Sequence, residues 1–152
     1  MVRLVKAEEI HISELVKISK AAFESDVFVG AADGDFPPDY DSTQWHCEMM
    51  ELGHLFVAIW AICENKIVGG AIVFWQNKEK SVYVGRIFVS PSEFKKGYGI
   101  AIMNKIEAMY SQALIFNLDT PEWNLRTNKF YRKLGYKVQK TSDGFVYYQK
   151  TR

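Results

Sequence analysis

The stretch from Val82 to Ala101 constrains the fold most. Val82-Tyr83-Val84-Gly85-Arg86-Ile87-Phe88-Val89 reads as a buried strand. Ser90 to Glu93 makes a short turn, and a helix then opens on Gly97 and Gly99 behind Lys95 and Lys96. The first N–H groups of a helix have no partner within it, and the helix dipole adds partial positive charge there. Glycines let those N–H groups close on a phosphate with no Cβ in the way. The stretch is therefore a candidate pyrophosphate cradle. A second reading stays open, in which the glycines only allow strand and helix to pack tightly. Gly97-Tyr98-Gly99 lacks the third glycine of the dinucleotide fingerprint, and no G-x-x-x-x-G-K-S/T occurs.

The remaining chain alternates strand and helix patterns. Val2 to Lys6 reads as a first strand. Ile12, Leu15, Val16, Ile18, Ala22 and Phe23 give helical spacing over Glu9 to Phe23. Glu24 to Tyr40, rich in Gly, Pro and Asp, is a loop, and Ser42 or Asp41 can cap a second helix ending near Gly53. His54 to Cys63, Ile67 to Gln76 and Ser81 to Val89 form an antiparallel meander. Turns at Glu64-Asn65-Lys66 and Asn77 to Lys80 join them. Tyr98 to Tyr110 is a helix with Ile102, Met103, Ile106, Met109 and Tyr110 inward. Ala113 to Asp119 is a strand, Trp123 to Leu134 a helix closed by Gly135, and Tyr136 to Gln149 a terminal hairpin around Ser142-Asp143-Gly144. This order predicts one α+β domain over residues 1–152.

The bulk properties exclude several classes. A net charge of +1 gives no whole-molecule field to draw the chain onto nucleic acid. The two cysteines, Cys47 and Cys63, stand in no ligand or redox spacing, so no metal site is expected. Cys63 is expected as a small buried hydrophobe. The expected location is a reducing cytoplasm. No long apolar region follows Met1 to Leu4, and the longest apolar run, Leu55 to Cys63, is too short to span a bilayer.

Charge is unevenly spread. Ala21 to Asn65 holds nine acids and no Lys or Arg, whereas Lys95 to Arg152 holds eleven bases against Glu107, Asp119, Glu122 and Asp143. Two ligands of opposite charge would explain this, and so would two ordinary solvated faces.

A second motif follows the strand ending at Asp119-Thr120-Pro121: Asn124, then Phe130-Tyr131-Arg132-Lys133-Leu134-Gly135-Tyr136. Together with Phe94-Lys95-Lys96-Gly97-Tyr98-Gly99, it resembles the GNAT acetyltransferase superfamily. That family opens one helix on Gln/Arg-x-x-Gly-x-Gly/Ala. It carries Asn and then Phe-Tyr-x-Lys-x-Gly-Phe/Tyr on the next. Order, spacing and intervening strand agree from about Val2 to the C-terminus. The resemblance implies a mixed, mostly antiparallel sheet of six to seven strands flanked by about four helices, splayed between the fourth and fifth strands. It implies acetyl-CoA as cofactor, with the pantetheine arm in the splay. By the same resemblance Ile87, Phe88 and Val89 meet the thioester and arm. Phe94, Lys95, Lys96, Gly97, Tyr98, Gly99, Ile100 and Ala101 surround the pyrophosphate, with Lys129 as added charge. Asn124 meets the arm, and Tyr131 lies near the sulfur.

The chemistry asks for such groups. An amine attacking a thioester puts negative charge on the carbonyl oxygen, which an aimed N–H stabilises, and the candidate is Ile87. The leaving thiolate needs a proton, and a tyrosine hydroxyl at about pKa 10 can give it to a thiol at about 8.5, so Tyr131 is the candidate acid. Many relatives carry a Glu four residues ahead of the position of Ile87. Here that position is Tyr83, and Ser81 to Val89 holds no carboxylate. Alternation would put Tyr83, Gly85 and Ile87 on one face. Tyr83 with water, or Asp41, His46, Glu48 or His54, are the substitutes for a base. Phe94 departs from Gln/Arg at a position where the backbone does the binding.

The family's first two helices shape the acceptor site. Here that region is acidic and carries Phe28, Tyr40, Asp41 and Trp45, with Phe23 and Phe36, which suits a small cationic amine or a peptide amine. The first reading is thus an amine N-acetyltransferase acting in a ternary complex. The alternatives are a non-catalytic acyl-CoA-binding or sensing module and a nucleic-acid binder using the basic third, which the charge balance disfavours. A homodimer is allowed by family analogy.

Overall fold

The computed structural model describes residues 1–32, 34–62 and 66–152. The expectations for Cys63 and for the turn through Glu64 and Asn65 lie outside the described residues. One seven-stranded sheet runs in the order β1 (Val2–Lys6), β2 (Leu55–Trp60), β3 (Ile67–Gln76), β4 (Ser81–Val89), β5 (Ile115–Pro121), β7 (Phe145–Thr151) and β6 (Lys137–Ser142). The pairs β1–β2, β2–β3 and β3–β4 are antiparallel, as the turn-linked apolar runs require, and β4–β5 is parallel. The terminal hairpin inserts β7 beside β5. β2 stops at Trp60, three residues before the expected end, and β5 runs to Pro121, past Asp119.

Each sheet face carries its own core. On one side lie α1 (Ile12–Glu24) and α2 (Thr43–Glu51). Ile12, Leu15, Ile18 and Ala22 of α1 are buried against Leu55, Val57, Ile72 and Phe88. Burying an Ile or Leu in this way contributes about 2 kcal/mol. Ser42 caps α2 by accepting a hydrogen bond from the Trp45 N–H at 3.0 Å. The other face packs under α3 (Tyr98–Met109) and α4 (Leu125–Lys133), through Ile102, Met103, Ile106 and Tyr131. Met109, expected inward, is exposed at the last position of α3. The loop before α2 contains a 3-10 turn at Ser25–Val29. Among the described residues no helix is long and apolar enough to cross a membrane.

A β-bulge in β4 matters for the site. Ile72 faces Arg86 but Val73 faces Val84, which leaves Gly85 as the unopposed residue. An extra residue resets the alternation of side chains. Val82 and Val84 share the α3–α4 face with Ile87 and Val89, while Tyr83, stacked on Phe74, shares the α1–α2 face with Phe88. Tyr83 and Ile87 therefore lie on opposite faces, contrary to simple alternation along the strand.

Candidate active site

β4 and β5 pair only through Ser81–Tyr83 and Ile115–Asn117. Beyond that point they part, and the V between them opens into a cleft of about 330 Å³. Ser90 donates to the Val68 carbonyl, so the β3–β4 ladder bonds fall on alternate pairs from there. In an antiparallel ladder the intervening pairs turn their N–H and C=O groups outward. Ile87 and Val89, opposite Ala71 and Gly69, are such pairs, and their main-chain groups point into the gap. Ile87, Phe88 and Val89 all line the cleft.

At the wide end stands the N-terminus of α3. Its first N–H to bond within the turn is that of Ala101, to the Gly97 carbonyl at 3.0 Å. Ala101 is thus engaged, and the N–H groups of Tyr98, Gly99 and Ile100 precede the helical ladder. Among the described residues those of Lys95 and Lys96 meet no acceptor either. Gly97 adopts φ +84°, with nothing near its missing Cβ, so its backbone conformation is what calls for glycine. Gly99 is different, because a Cβ there would come within 3.2 Å of the Phe130 ring. Gly97 is required by its backbone conformation and Gly99 by the closeness of Phe130, so the tight-packing reading applies at Gly99. Lys95 lines the cleft, while Lys96 is held by Glu93 at 2.9 Å. Glu93 also takes Lys66 at 2.8 Å, and hydrogen bonds from Lys66 and then Lys96 hold its carboxyl below the usual range.

The cleft is spanned near its mouth. Asp26, just after α1, pairs with Arg126 at 3.0 Å, and both line the cleft. Arg126 also covers the Phe94 ring at 4.9 Å, and Gly30 abuts Trp123. Burial pushes the Asp26 carboxyl up, against the pull of Arg126. Asn124, expected on the pantetheine arm, is 2% exposed and caps α4 by accepting from the Thr127 N–H at 3.1 Å. Its place at the helix start accounts for the motif without a ligand.

Three side chains converge at the closed end of the V. Tyr131, 6% exposed, packs on Phe130, Tyr136 and Tyr148, and its hydroxyl makes no hydrogen bond among the described residues. Burial raises its pKa, and the nearby Asp119 and Tyr83 raise it further, so it stays a donor. From the opposite face the Tyr83 hydroxyl donates to Asp119 Oδ2 at 3.1 Å. Burial, then the charge of Asp119, pushes Tyr83 up to about 12. Asp119 is itself raised by burial, partly offset by the Tyr83 hydrogen bond, and it makes no ion pair among the described residues. Tyr83 and Asp119 also line an open groove of about 440 Å³ between β4, β5 and β7 on the α1–α2 face. The sequence carried a signal for Asp119: in Phe116-Asn117-Leu118-Asp119 the polar residues alternate with buried ones and face away from the α3–α4 core.

Among the described residues, the acidic loop does not assemble into a cation cage. Phe28 is 88% exposed and Asp41 is exposed. The Tyr40 hydroxyl donates to Glu24 at 2.8 Å, a bond that pushes it up to about 12. Trp45 already carries the Arg86 guanidinium 4.2 Å from its ring, and Arg86 is fastened to the Pro38 carbonyl. His46 is 0% exposed, with Nδ1 2.7 Å from the Ser42 carbonyl, and burial lowers its pKa, so it is a neutral core group and not a base within substrate reach. Glu48 lies exposed beside Gln44, and His54 lies on Phe74, away from the cleft.

Residues 13–136 match the family model described as Acetyltransferase (GNAT) family. The chain is 27% identical over 137 residues to the uncharacterized protein YrkN of Bacillus subtilis strain 168, covering 87% of this chain and 71% of that one. Its fold is similar to PaiA N-acetyltransferase from Thermoplasma acidophilum, solved in complex with coenzyme A, with TM-score 0.85, 13% identity and coverage of 100% and 99% of the two chains. It is also similar to a GNAT acetyltransferase from Streptococcus agalactiae (TM-score 0.84, 16% identity, 99% and 95% coverage). The ribosomal-protein-S18-alanine N-acetyltransferase of Escherichia coli follows at TM-score 0.74, 16% identity and 99% and 94% coverage.

Proposed function

Because this chain belongs to the GNAT acetyltransferase family, we propose that it is an N-acetyltransferase that moves the acetyl group of acetyl-CoA to a small cationic amine by direct attack. The observation that carries this reading is the splay of β4 from β5, which has free main-chain donors at its wide end and Tyr131 at its closed end. Bound acetyl-CoA supplies an acetyl carbon activated as a thioester. The residues present fit it. The N–H groups of residues 95–100 and the dipole of α3 suit a diphosphate. The outward main-chain groups of Ile87 and Val89 suit the amides of a pantetheine arm, and the Ile87 N–H is placed to stabilise an oxyanion. Tyr131, protonated at all working pH values, gives its proton to the departing sulfur. The apolar walls from Phe88, Phe130 and Tyr131 keep water from competing with the amine.

Calorimetry with coenzyme A and a thiol-release assay with acetyl-CoA and a panel of amines test this. Heat on binding and release with at least one amine are expected. No heat with coenzyme A overturns the cofactor assignment. Binding without release for every amine points to an acyl-CoA-sensing module.

A further inference from the structure

Asp119 has the chemistry of a site still waiting for a partner. Its carboxylate is half-buried, makes no ion pair among the described residues, and has one oxygen held by the Tyr83 hydroxyl at 3.1 Å. A desolvated carboxylate without a cation is costly, and such groups gather where a charged ligand completes them. Its position matters as much. Asp119 is two residues past Asn117, the last residue of β5 paired with β4, at the apex where the strands part. Tyr131 reaches the same apex from the other sheet face, close enough for the charge of Asp119 to act on it.

Resting on the acetyltransferase reading, we propose that Asp119 is the catalytic residue that receives the acceptor's ammonium group and takes its proton, with Tyr83 as a positioning residue. The free oxygen of Asp119 accepts the proton. The N–H bond breaks, its electron pair stays on nitrogen for attack, and an O–H bond forms on the carboxyl, which later releases the proton to water. Burial raises the affinity of Asp119 for a proton, which brings it closer to that of the amine it must deprotonate.

The groove also ranks acceptors. Among the described residues Asp119 is the one carboxylate of its lining, while Gln76, Asn117 and Gln149 offer amides and Lys140 lies over Tyr147 at 4.9 Å. That set suits an amine with one ammonium group and a polar, uncharged remainder, such as the amino end of a peptide. A polyamine would leave its further charges beside amides and a lysine.

The test uses the full chain, acetyl-CoA, and L-alaninamide, n-propylamine and spermidine as acceptor probes. Asp119→Asn is expected to lower kcat/KM at neutral pH by about 100-fold with coenzyme A affinity unchanged. The deficit should shrink as the pH passes the acceptor's own pKa, about 8 for an α-amino group, because the amine then arrives deprotonated. The charged or titratable groups facing Asp119 are Tyr83 from β4, Tyr131 from α4 and Tyr147 from β7, with Lys140 of β6 and Arg86 of β4 beyond. Burial pushes Tyr83 and Tyr131 up, away from the rising limb, so that limb reports Asp119. Tyr83→Phe removes the hydrogen bond that lowers the Asp119 pKa and should move the limb to higher pH. L-alaninamide should exceed spermidine in kcat/KM by about tenfold. An active wild type with an equally active Asp119→Asn, or a loss that is the same at every pH, removes Asp119 and spares the acetyltransferase reading. A preference for spermidine overturns the single-ammonium assignment. A wild type that binds coenzyme A but acetylates no amine overturns the acetyltransferase reading, and this inference with it.

Discussion

Tyr131→Phe separates catalysis from packing at one atom. The hydroxyl makes no hydrogen bond among the described residues, and the ring keeps its contacts with Phe130, Tyr136 and Tyr148 at centroid distances of 5.2, 6.0 and 6.0 Å. Removing that oxygen breaks no hydrogen bond among the described residues and keeps the ring, so stability should stay within about 0.5 kcal/mol of wild type. A general acid contributes about 10² or more to a rate. At about 1.36 kcal/mol per tenfold, a 100-fold loss is about 2.7 kcal/mol on the barrier. Urea unfolding, calorimetry with coenzyme A and thiol release at saturating amine measure the three quantities separately. The expected result is unchanged unfolding, unchanged affinity and about 100-fold slower turnover. Equal turnover in the variant would refute the assignment. A collapse of stability would show that the hydroxyl has a structural partner.

Other outcomes follow from single residues. Asp119 has a folded pKa above its unfolded value of about 3.9. Its contribution is therefore present below that pH and lost as pH rises through the folded pKa. Asp119→Asn should melt higher than wild type near neutral pH and equal to it in acid, as thermal melts can check. Gly97→Ala forces a side chain into φ +84° at a strain of about 1 kcal/mol. Calorimetry should register that strain as about fivefold weaker coenzyme A binding if the cradle relaxes to relieve it. Leu15→Ala opens a cavity at a 0% exposed position and should cost about 3 kcal/mol. That is roughly 6–12 °C in Tm for a chain of this size, read by differential scanning calorimetry.

The cradle helix, the meander and the cap of α2 were legible because each depends on neighbours in sequence: apolar period, a capping Ser42, a turn glycine; the capping role of Asn124 was not. What escaped was set by contacts between distant residues. The resemblance gave the splay of β4 from β5, but nothing near Asp119 says that Tyr83 and Asp119, thirty-six positions apart, share a hydrogen bond. Gly85 gave no warning that it would stand unopposed and turn Tyr83 away from Ile87. The aromatic residues of the acidic loop looked available for a cation, yet Trp45 had been met by Arg86, whose position in the fold depends on β4.

The Asp26–Arg126 contact makes the cleft a covered passage. Its two halves come from opposite ends of the chain, with one side chain from each. A long, flexible molecule lodged beneath such an arch leaves by sliding lengthwise unless the arch lifts. With Arg126 partly open to solvent, the pair contributes only about 1 kcal/mol and weakens with salt. For a donor seated in the cleft as proposed, residence becomes a matter of ionic strength as well as of fit.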